Sequence, residues 1–207
     1  MQEWKKNIHA MHSKFLTNLK HLIFLSPNQQ EEIIRLLEYQ ELPKDAVILE
    51  AGEISDRIYF INEGLVRGCY TRDGKEHTLW LGFAGEFVYS VKSFVEQSPS
   101  LDSIILVSDC KLSSLSYQSL QYLYEKDPIW NKFGRLMFEK YYVMLSERIR
   151  GFQSLSAAER YDQVEKRHPN ILEEVKSTHL ASYLGMTPET LSRLRARQKR
   201  RQRIVKN

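Results

Sequence analysis

The sequence predicts an α+β protein in which a central antiparallel β-roll, similar to a jelly roll, lies between helical segments. Three observations lead to this prediction. Apolar residues have helical spacing in the first 40 positions, short β-rich runs occupy residues 47–115, and helical spacing returns from Ser116. The 207 residues suffice for one large domain and a smaller second one.

The N-terminal 40 residues are predicted to be helical. Apolar residues recur mainly at intervals of three and four positions, namely Ile8, Met11, Phe15, Leu19, Leu22 and Ile23. Ser26-Pro27 interrupts this spacing, which resumes from Gln29 to Leu37. The charged N-terminus also lacks the apolar stretch of a secretory signal, and no run reaches the ~20 apolar residues of a membrane span. We therefore expect a cytoplasmic protein that makes no contact with a membrane.

Six short runs carry the β signal, at residues 47–49, 58–61, 65–70, 77–81, 103–107 and 111–115. Turn residues separate them at intervals of about 8–12 positions, which is typical of an antiparallel roll or barrel. Asp73-Gly74 is the strongest hairpin signal, because both residues tolerate the left-handed backbone of a two-residue turn.

Residues 128–152 are predicted to form one long helix that opens with Pro128, a favoured first residue. Its apolar stripe comprises Trp130, Phe133, Met137, Tyr141, Met144, Leu145 and Ile149. This stripe is too rich for a helix that packs on one neighbour only. A small domain of short helices is predicted to follow, from about Ser154 to the end of the chain.

Residues 177–193 have the pattern of a helix-turn-helix. Thr178 is predicted to cap a first helix whose Leu180, Ala181 and Leu184 face inward. Gly185 follows, at a position that requires a positive φ. Thr187 and Pro188 then provide an N-cap and a first residue for a second helix.

The second helix has the composition of a recognition helix that enters the DNA major groove. Leu191 and Leu194 face inward, which leaves polar side chains on the exposed face. Glu189 and Arg193 share that face, where a glutamate can accept from cytosine and an arginine can donate twice to guanine. The predicted DNA-binding residues are Thr178, Thr187, Pro188, Glu189, Thr190, Ser192, Arg193, Arg195, Arg197 and Lys199.

The basic residues are concentrated at the C-terminus. Eight of the 30 lysines and arginines lie in residues 193–207 without any acid, which leaves 22 bases against 26 acids in residues 1–192. Such a block is typical of contact with a polyanion, although a solvated disordered tail has the same composition. Because the block adjoins the helix-turn-helix, we expect residues 199–206 to contact DNA phosphates where a wing would otherwise do so.

The sequence resembles the Crp/Fnr family of transcription regulators from Leu22 to Arg195. Residues 52–66 resemble the hairpin of the family's cyclic-nucleotide domain, and Gly85-Glu86-Phe87-Val88 resembles the entry to its phosphate-binding cassette. The helix from Pro128 is similar to the family's dimerising helix, and residues 184–193 are similar to its DNA-reading segment. The resemblance implies a sensor β-roll in residues 1–127, a dimerisation helix in residues 128–153, and a winged-helix-like helix-turn-helix domain in residues 154–207.

The pocket implied by this resemblance is degenerate. Family members that bind cyclic AMP place a glutamate on the ribose and an arginine followed by serine or threonine on the phosphate; Ser90 and Asp102-Ser103 stand at those positions here. An aspartate in place of the arginine would repel the phosphate, and Lys92 is the nearest compensating cation. We therefore predict no cofactor and no cyclic nucleotide. The degenerate pocket would comprise Gly85, Glu86, Phe87, Ser90, Asp102, Ser103, Leu145 and Ser146.

The predicted function is that of a homodimeric, sequence-specific regulator that binds double-stranded DNA, with RNA polymerase and an unidentified small-molecule effector as further candidate partners. Cys69 and Cys110 are too few for an iron–sulfur cluster, and no phosphate loop, zinc motif or nucleophile elbow indicates an enzyme. The alternative is a ligand-binding or protein-interaction β-roll that does not bind DNA. It predicts no retention of DNA at low salt.

Overall fold

The structure is a computed structural model that describes the backbone of residues 11–205 and the side chains of residues 11–197. The strands are β1 Glu38–Leu42, β2 Val47–Leu49, β3 Arg57–Glu63, β4 Leu65–Arg72, β5 Lys75–Phe83, β6 Phe87–Val88, β7 Ser103–Leu106 and β8 Cys110–Ser116. The helices are α1 Ser13–Leu22, α2 Pro27–Leu36, α3 Val91–Glu96, α4 Tyr117–Lys126, α5 Pro128–Ser154, α6 Ala157–Arg167, α7 Ile171–Glu174, α8 Ser177–Tyr183 and α9 Pro188–Val205.

The eight strands form two four-stranded antiparallel sheets, in the orders β1-β8-β3-β6 and β2-β7-β4-β5. Their facing sides bury an apolar core that includes Ile61, Val66 and Ile104, each 0% exposed. This arrangement confirms the predicted antiparallel β-roll. Five of the six predicted runs lie wholly within strands, and the sixth, residues 103–107, extends one residue past β7.

The hairpin between β4 and β5 is the two-residue turn that Asp73-Gly74 predicts. Arg72 pairs with Lys75, and the two residues between them have φ angles of 52° and 69°. Positive φ at both central positions is the geometry of a type I′ turn, which matches the twist of the two strands. The strand that follows this turn, β5, is the edge strand of its sheet.

Three short elements were absent from the sequence prediction. β1 lies where a helix was expected to end, and it pairs with β8 from Glu38 to Leu42. It is a partly exposed edge strand, so its residues carry little apolar alternation, and its conformation depends on its partner strand. β6 has two residues and α3 has six, which is too short for a periodic pattern to develop.

The N-terminal helices cover one end of the roll. Phe15, Leu19 and Ile33 pack with Trp130 of α5 in a second core. Ser26 accepts from the N–H of Gln29, whose side chain accepts in turn from the N–H of Ser26, so α2 begins with a capping box. Ile8, which belongs to the predicted first helix, lies outside the described residues.

The long helix α5 begins at the predicted residue, where the carboxylate of Asp127 accepts from the N–H of Ile129 at 3.0 Å. Its first three turns bury Trp130, Phe133, Gly134 and Met137 against the roll and α4. Gly134 permits this contact, since a Cβ there would lie 2.3 Å from the Tyr124 hydroxyl. The remaining four turns project beyond that core.

Helices α6 to α9 form the small C-terminal domain. Tyr161, Ile171, Leu180, Ala181 and Leu191 make its core, each at most 2% exposed. The predicted inward positions Leu184 and Leu194 also pack there. Gly185 has the predicted positive φ, at 63°, and a Cβ at this position would lie 2.7 Å from a ring carbon of Phe152. Glycine therefore satisfies both the turn and the close contact with α5.

Two expectations for this domain differ from the structure. Thr178 does not cap α8, because the helix already begins at Ser177 and the Lys176 carbonyl accepts from the N–H of Leu180 at 3.0 Å. No wing follows the last helix within residues 11–205, since α9 continues as helix through the basic block to Val205. Among the described helices, none is long and apolar enough to cross a membrane.

Candidate nucleic-acid interface and interdomain cavity

The N-terminal turn of α9 is exposed, and a helix cap and a buried leucine hold it in place. The Thr187 hydroxyl accepts from the N–H of Thr190 at 3.2 Å, and Pro188 occupies the first helical position. Leu191 lies fully buried on the opposite side of the helix. The cap and this anchor fix the direction in which the polar face of α9 points.

Glu189 and Arg193 are exposed on this face, and among the described side chains neither forms an ion pair within 4.0 Å. The Glu189 carboxylate accepts from the Thr187 hydroxyl and from its own backbone N–H. These two hydrogen bonds, together with the charge of Arg193, lower the pKa of Glu189. The guanidinium of Arg193 donates only a long hydrogen bond, 3.5 Å, to the Thr190 hydroxyl. Both charged groups therefore retain hydrogen-bonding capacity for another molecule.

The predicted DNA-binding residues fall into three groups. Those with exposed side chains are Thr178, Thr187, Pro188, Glu189, Ser192, Arg193 and Arg197. Thr190 and Arg195 are half-buried, and Arg195 donates to the Ser177 hydroxyl at 3.2 Å, which ties α9 to α8. Lys199 lies outside the side chains that the structure describes.

Arg160 positions the turn between α8 and α9, a role that sequence reasoning missed. Its guanidinium donates to the carbonyls of Leu155, Leu184 and Gly185 at 2.7, 2.9 and 3.4 Å, respectively. Carbonyls at the end of a helix lack intrahelical partners, so a cation there satisfies them. No local motif marks Arg160, because two of its three acceptors, the carbonyls of Leu184 and Gly185, lie 24 and 25 residues further along the chain.

The C-terminal domain docks on edge strand β5 of the roll. The N–H of Thr78 donates to the Ser182 hydroxyl at 2.9 Å, and Nε2 of His179 lies 3.4 Å from Glu76, which also pairs with Arg67. This contact occupies one face of α8. It covers the free edge of the sheet and leaves the polar face of α9 exposed.

A cavity of about 650 Å³ lies at this junction. The roll lines it with β5 and residues 86–92, α5 contributes its later turns, and the C-terminal domain closes it with α6 and α8. The charged lining residues are Glu86, Lys92, Asp102, Glu147, Arg148, Arg160 and Arg167. A cavity of this volume is within the range of small-molecule sites.

Five residues of the predicted pocket line this cavity, namely Glu86, Phe87, Ser90, Asp102 and Leu145. The other three lie outside its lining. Gly85 lies beside Asn18 of α1, whose amide donates to the Gly85 carbonyl at 3.1 Å; Ser103 accepts from the N–H of Ala51 at 3.0 Å; and Ser146 is exposed on α5.

At the positions that the resemblance assigns to the glutamate and arginine of a cyclic-nucleotide pocket, this chain has a network of hydroxyls and a carboxylate. The hydroxyl of Ser100 lies 2.9 Å from that of Ser90 and 2.8 Å from the carbonyl of Asp102. Burial raises the pKa of the Asp102 carboxyl group, which has no basic group within 4.0 Å among the described side chains. This end of the cavity therefore opposes a bound phosphate.

Residues 39–127 match the family model of the cyclic nucleotide-binding domain. The β-roll is a cyclic nucleotide-binding domain by fold. A comparison with curated proteins finds no match. The match covers the roll and ends just before α5.

Three regulators of the Crp/Fnr family share the architecture of the nucleotide-binding domain followed by the long helix. The c-di-GMP-responsive global regulator CLP of Xanthomonas campestris is 17% identical, with a TM-score of 0.66, over 84% of this chain and 92% of that chain. FixK2 of Bradyrhizobium japonicum is 16% identical, with a TM-score of 0.69, over 80% and 85%. The Thermus thermophilus catabolite activator protein is 22% identical, with a TM-score of 0.52, over 89% and 87%. At these identities the likeness establishes the fold.

Proposed function

We propose that this chain is a sequence-specific DNA-binding transcription regulator that acts as a homodimer. Its nucleotide-binding domain, together with the N-terminal helices in residues 1–127, would be the sensor, residues 128–153 the dimerisation helix, and residues 154–207 a helix-turn-helix domain. The exposed face of α9 carries this proposal, because Glu189, Ser192 and Arg193 have no role in the core and stand on a capped, anchored helix. Double-stranded DNA is the partner that such a face fits.

The dimer is supported by a heptad seam on α5. Phe138, Tyr142, Leu145, Ile149 and Phe152 alternate at intervals of four and three residues, and each is at least 40% exposed. This spacing is that of a coiled-coil interface. Pairing two α5 helices along this seam would bury the five side chains and present two α9 helices related by a twofold axis.

Paired recognition helices predict an operator of two half-sites about one DNA turn apart. Residues 199–206 would contact phosphates, which contributes affinity and little sequence preference. RNA polymerase is a further candidate partner of such a regulator, as the resemblance to the family implies.

The sensor is proposed to respond to a ligand other than cyclic AMP. The Ser90–Ser100–Asp102 network offers no cation to a cyclic phosphate. The docking of α8 on β5 gives the roll a direct contact with the DNA-binding domain. A ligand that favours one arrangement of this contact would shift the population of DNA-competent dimers.

A selection of random duplexes by the purified protein tests the proposal. We expect the retained DNA to be enriched in one palindrome, both with and without cyclic AMP. Enrichment that requires cyclic AMP would contradict the proposed sensor, and no retention of DNA even at low salt would favour the module that does not bind DNA.

The same duplex then tests the interface by fluorescence anisotropy. Arg193→Ala should weaken binding by about 1–3 kcal/mol and relax the preference at one base pair of each half-site. Arg35→Ala, which removes an exposed arginine of α2, serves as the matched control and should leave binding unchanged. Equal binding by both variants would contradict the assignment of α9 as the recognition helix.

A further inference from the structure

The interdomain cavity contains an arginine that the fold does not satisfy. Arg148 projects from α5 with its guanidinium carbon 4.2 Å from the ring centroid of Tyr183 and 5.1 Å from that of Phe152. Within the described part of the chain, its one hydrogen bond runs from Nη2 to the Tyr183 carbonyl at 3.2 Å. Among the described side chains, no carboxylate lies within 4.0 Å of it.

Arg148 is therefore a costly residue to place here. Burial lowers the pKa of its guanidinium, which nevertheless stays protonated at neutral pH. A guanidinium offers five N–H donors, and a partly buried charge is unfavourable unless it is paired. The neighbouring Arg160 differs, because three backbone carbonyls accept from it. Of the two, Arg148 is the one with donors to spare.

The charge of the lining limits what Arg148 can bind. Four basic and three acidic side chains line the cavity, which gives a net charge of +1 when all are ionised and the histidines are neutral. Glu147 and Arg167 already pair with each other at 3.6 Å. A single negative charge balances this lining, whereas a dianionic phosphate would leave it net negative. A cyclic phosphate is also a monoanion, but the hydroxyls and the unpaired carboxylate of Asp102 stand where the resemblance would place it.

The rest of the wall is suited to an apolar body. Aromatic residues from all three parts of the junction line the cavity, namely Trp80 and Phe83 of β5, Tyr141 and Phe152 of α5, and Tyr183 of α8. With about 650 Å³, the space accommodates a molecule of one or two rings.

We propose that this cavity binds a small monocarboxylate with an aromatic or apolar body, and that Arg148 holds its carboxylate. This inference rests on the proposed sensor role and names the chemical class of the effector. The two N–H groups on one side of a guanidinium match the two oxygens of a carboxylate, so the pair is bidentate. Because the roll, α5 and α8 all line this cavity, a molecule held by Arg148 would lie between the three.

Calorimetric titration of the full chain with 1-naphthaleneacetate and with 4-phenylbutyrate tests this site. The neutral 1-naphthaleneacetamide is the matched ligand control. We expect saturable binding of at least one of the two acids, and at least about tenfold weaker binding of the amide. Absence of saturable binding of both acids up to about 5 mM, or equal affinity for acid and amide, would overturn the proposal.

Three variants separate the anchor from general effects. Arg148→Gln should weaken binding of the acid at least about tenfold and leave binding of the amide unchanged. Arg150→Gln removes an exposed arginine of the same helix and should bind as the unchanged protein does. Gly151→Leu, at a lining position where a Cβ meets only Leu155 at 3.8 Å, should block both ligands. Acid binding that survives Arg148→Gln would refute the anchor.

These titrations contain no DNA, so they distinguish two failures. Ligand binding without DNA binding would support the ligand site and contradict the proposed DNA-binding function. DNA binding by a protein that binds neither acid would contradict the monocarboxylate site and support the proposed DNA-binding function. Circular dichroism of Arg148→Gln should match that of the unchanged protein. Arg148→Lys is the second variant, for use if Arg148→Gln folds less well. It keeps the charge but loses the bidentate geometry, so it should bind the acid more weakly than the unchanged protein does.

Discussion

The imidazole ring of His168 stacks on the ring of Phe83, with centroids 3.4 Å apart and planes 4° from parallel. His168 belongs to the C-terminal domain and Phe83 to the last position of β5, so this pair spans the junction between the domains. His179 spans the same junction beside Glu76. His168 and His179 therefore both lie at the contact between the roll and the C-terminal domain.

Acidification should loosen this junction. Burial, followed by the charge of Arg167, lowers the pKa of His168; burial, followed by the charge of Arg67, lowers the pKa of His179, which Glu76 opposes. A histidine whose pKa is lowered by docking favours the docked state above its free pKa of about 6.5, and this stabilisation is lost as the pH falls through the lower value. The melting temperature should therefore fall between pH ~7.5 and pH ~5.5.

The double variant His168→Gln/His179→Gln should lose much of this pH dependence in a thermal melt. His21→Gln, which changes an exposed histidine of α1, should retain it. An unchanged pH dependence in the double variant would show that other groups are responsible.

Gly185→Ala should destabilise the C-terminal domain by about 1–3 kcal/mol. The position has a φ of 63°, and the new Cβ would meet Phe152 at 2.7 Å. Gly151→Ala is the control, because this residue of α5 has no positive φ and its nearest contact would be at 3.8 Å. In urea denaturation it should be neutral or stabilising by up to about 1 kcal/mol. Equal effects of both variants would contradict the strained turn.

Ile149→Lys should convert the proposed dimer into a monomer in analytical ultracentrifugation. It places a charge in the middle of the heptad seam, where pairing would bury it. Val143→Lys changes an exposed apolar residue on another face of α5 and should remain dimeric. A dimeric Ile149→Lys protein would mean that the chains pair elsewhere.

Replacing the five basic residues of positions 199–206 with glutamine should reduce the salt dependence of DNA binding. Each lost phosphate contact should lower the slope of log K against log salt by about 0.9. The base preference of the operator should persist, since these residues are proposed to contact phosphates only. Exchanging the three arginines among these five residues for lysine keeps the charge and should preserve the slope. An unchanged slope in the glutamine variant would contradict the phosphate contacts.

The sequence by itself determined the β-roll, the start of the long helix and the turn at Gly185. These features depend on local chemistry, namely alternation, capping and positive φ, which neighbouring residues express directly. β1 could not be predicted in this way, because the conformation of a polar edge strand depends on its pairing with β8, about 70 residues further along the chain. The exact start of a helix is also hard to predict from sequence. Thr178 was expected to cap α8, but the helix begins at Ser177, so Thr178 lies inside it.

The candidate site also contains residues that the sequence predicts and residues that only the tertiary structure reveals. The exposed face of α9 follows from the helical period, so Glu189 and Arg193 could be found in the sequence. Only the tertiary structure brings Arg148 of α5 to Tyr183 and Arg160 to the carbonyls of Leu184 and Gly185. The reason is physical: a cavity and the unsatisfied donors within it are defined by the packing of three separate segments, and no local pattern records where such segments meet.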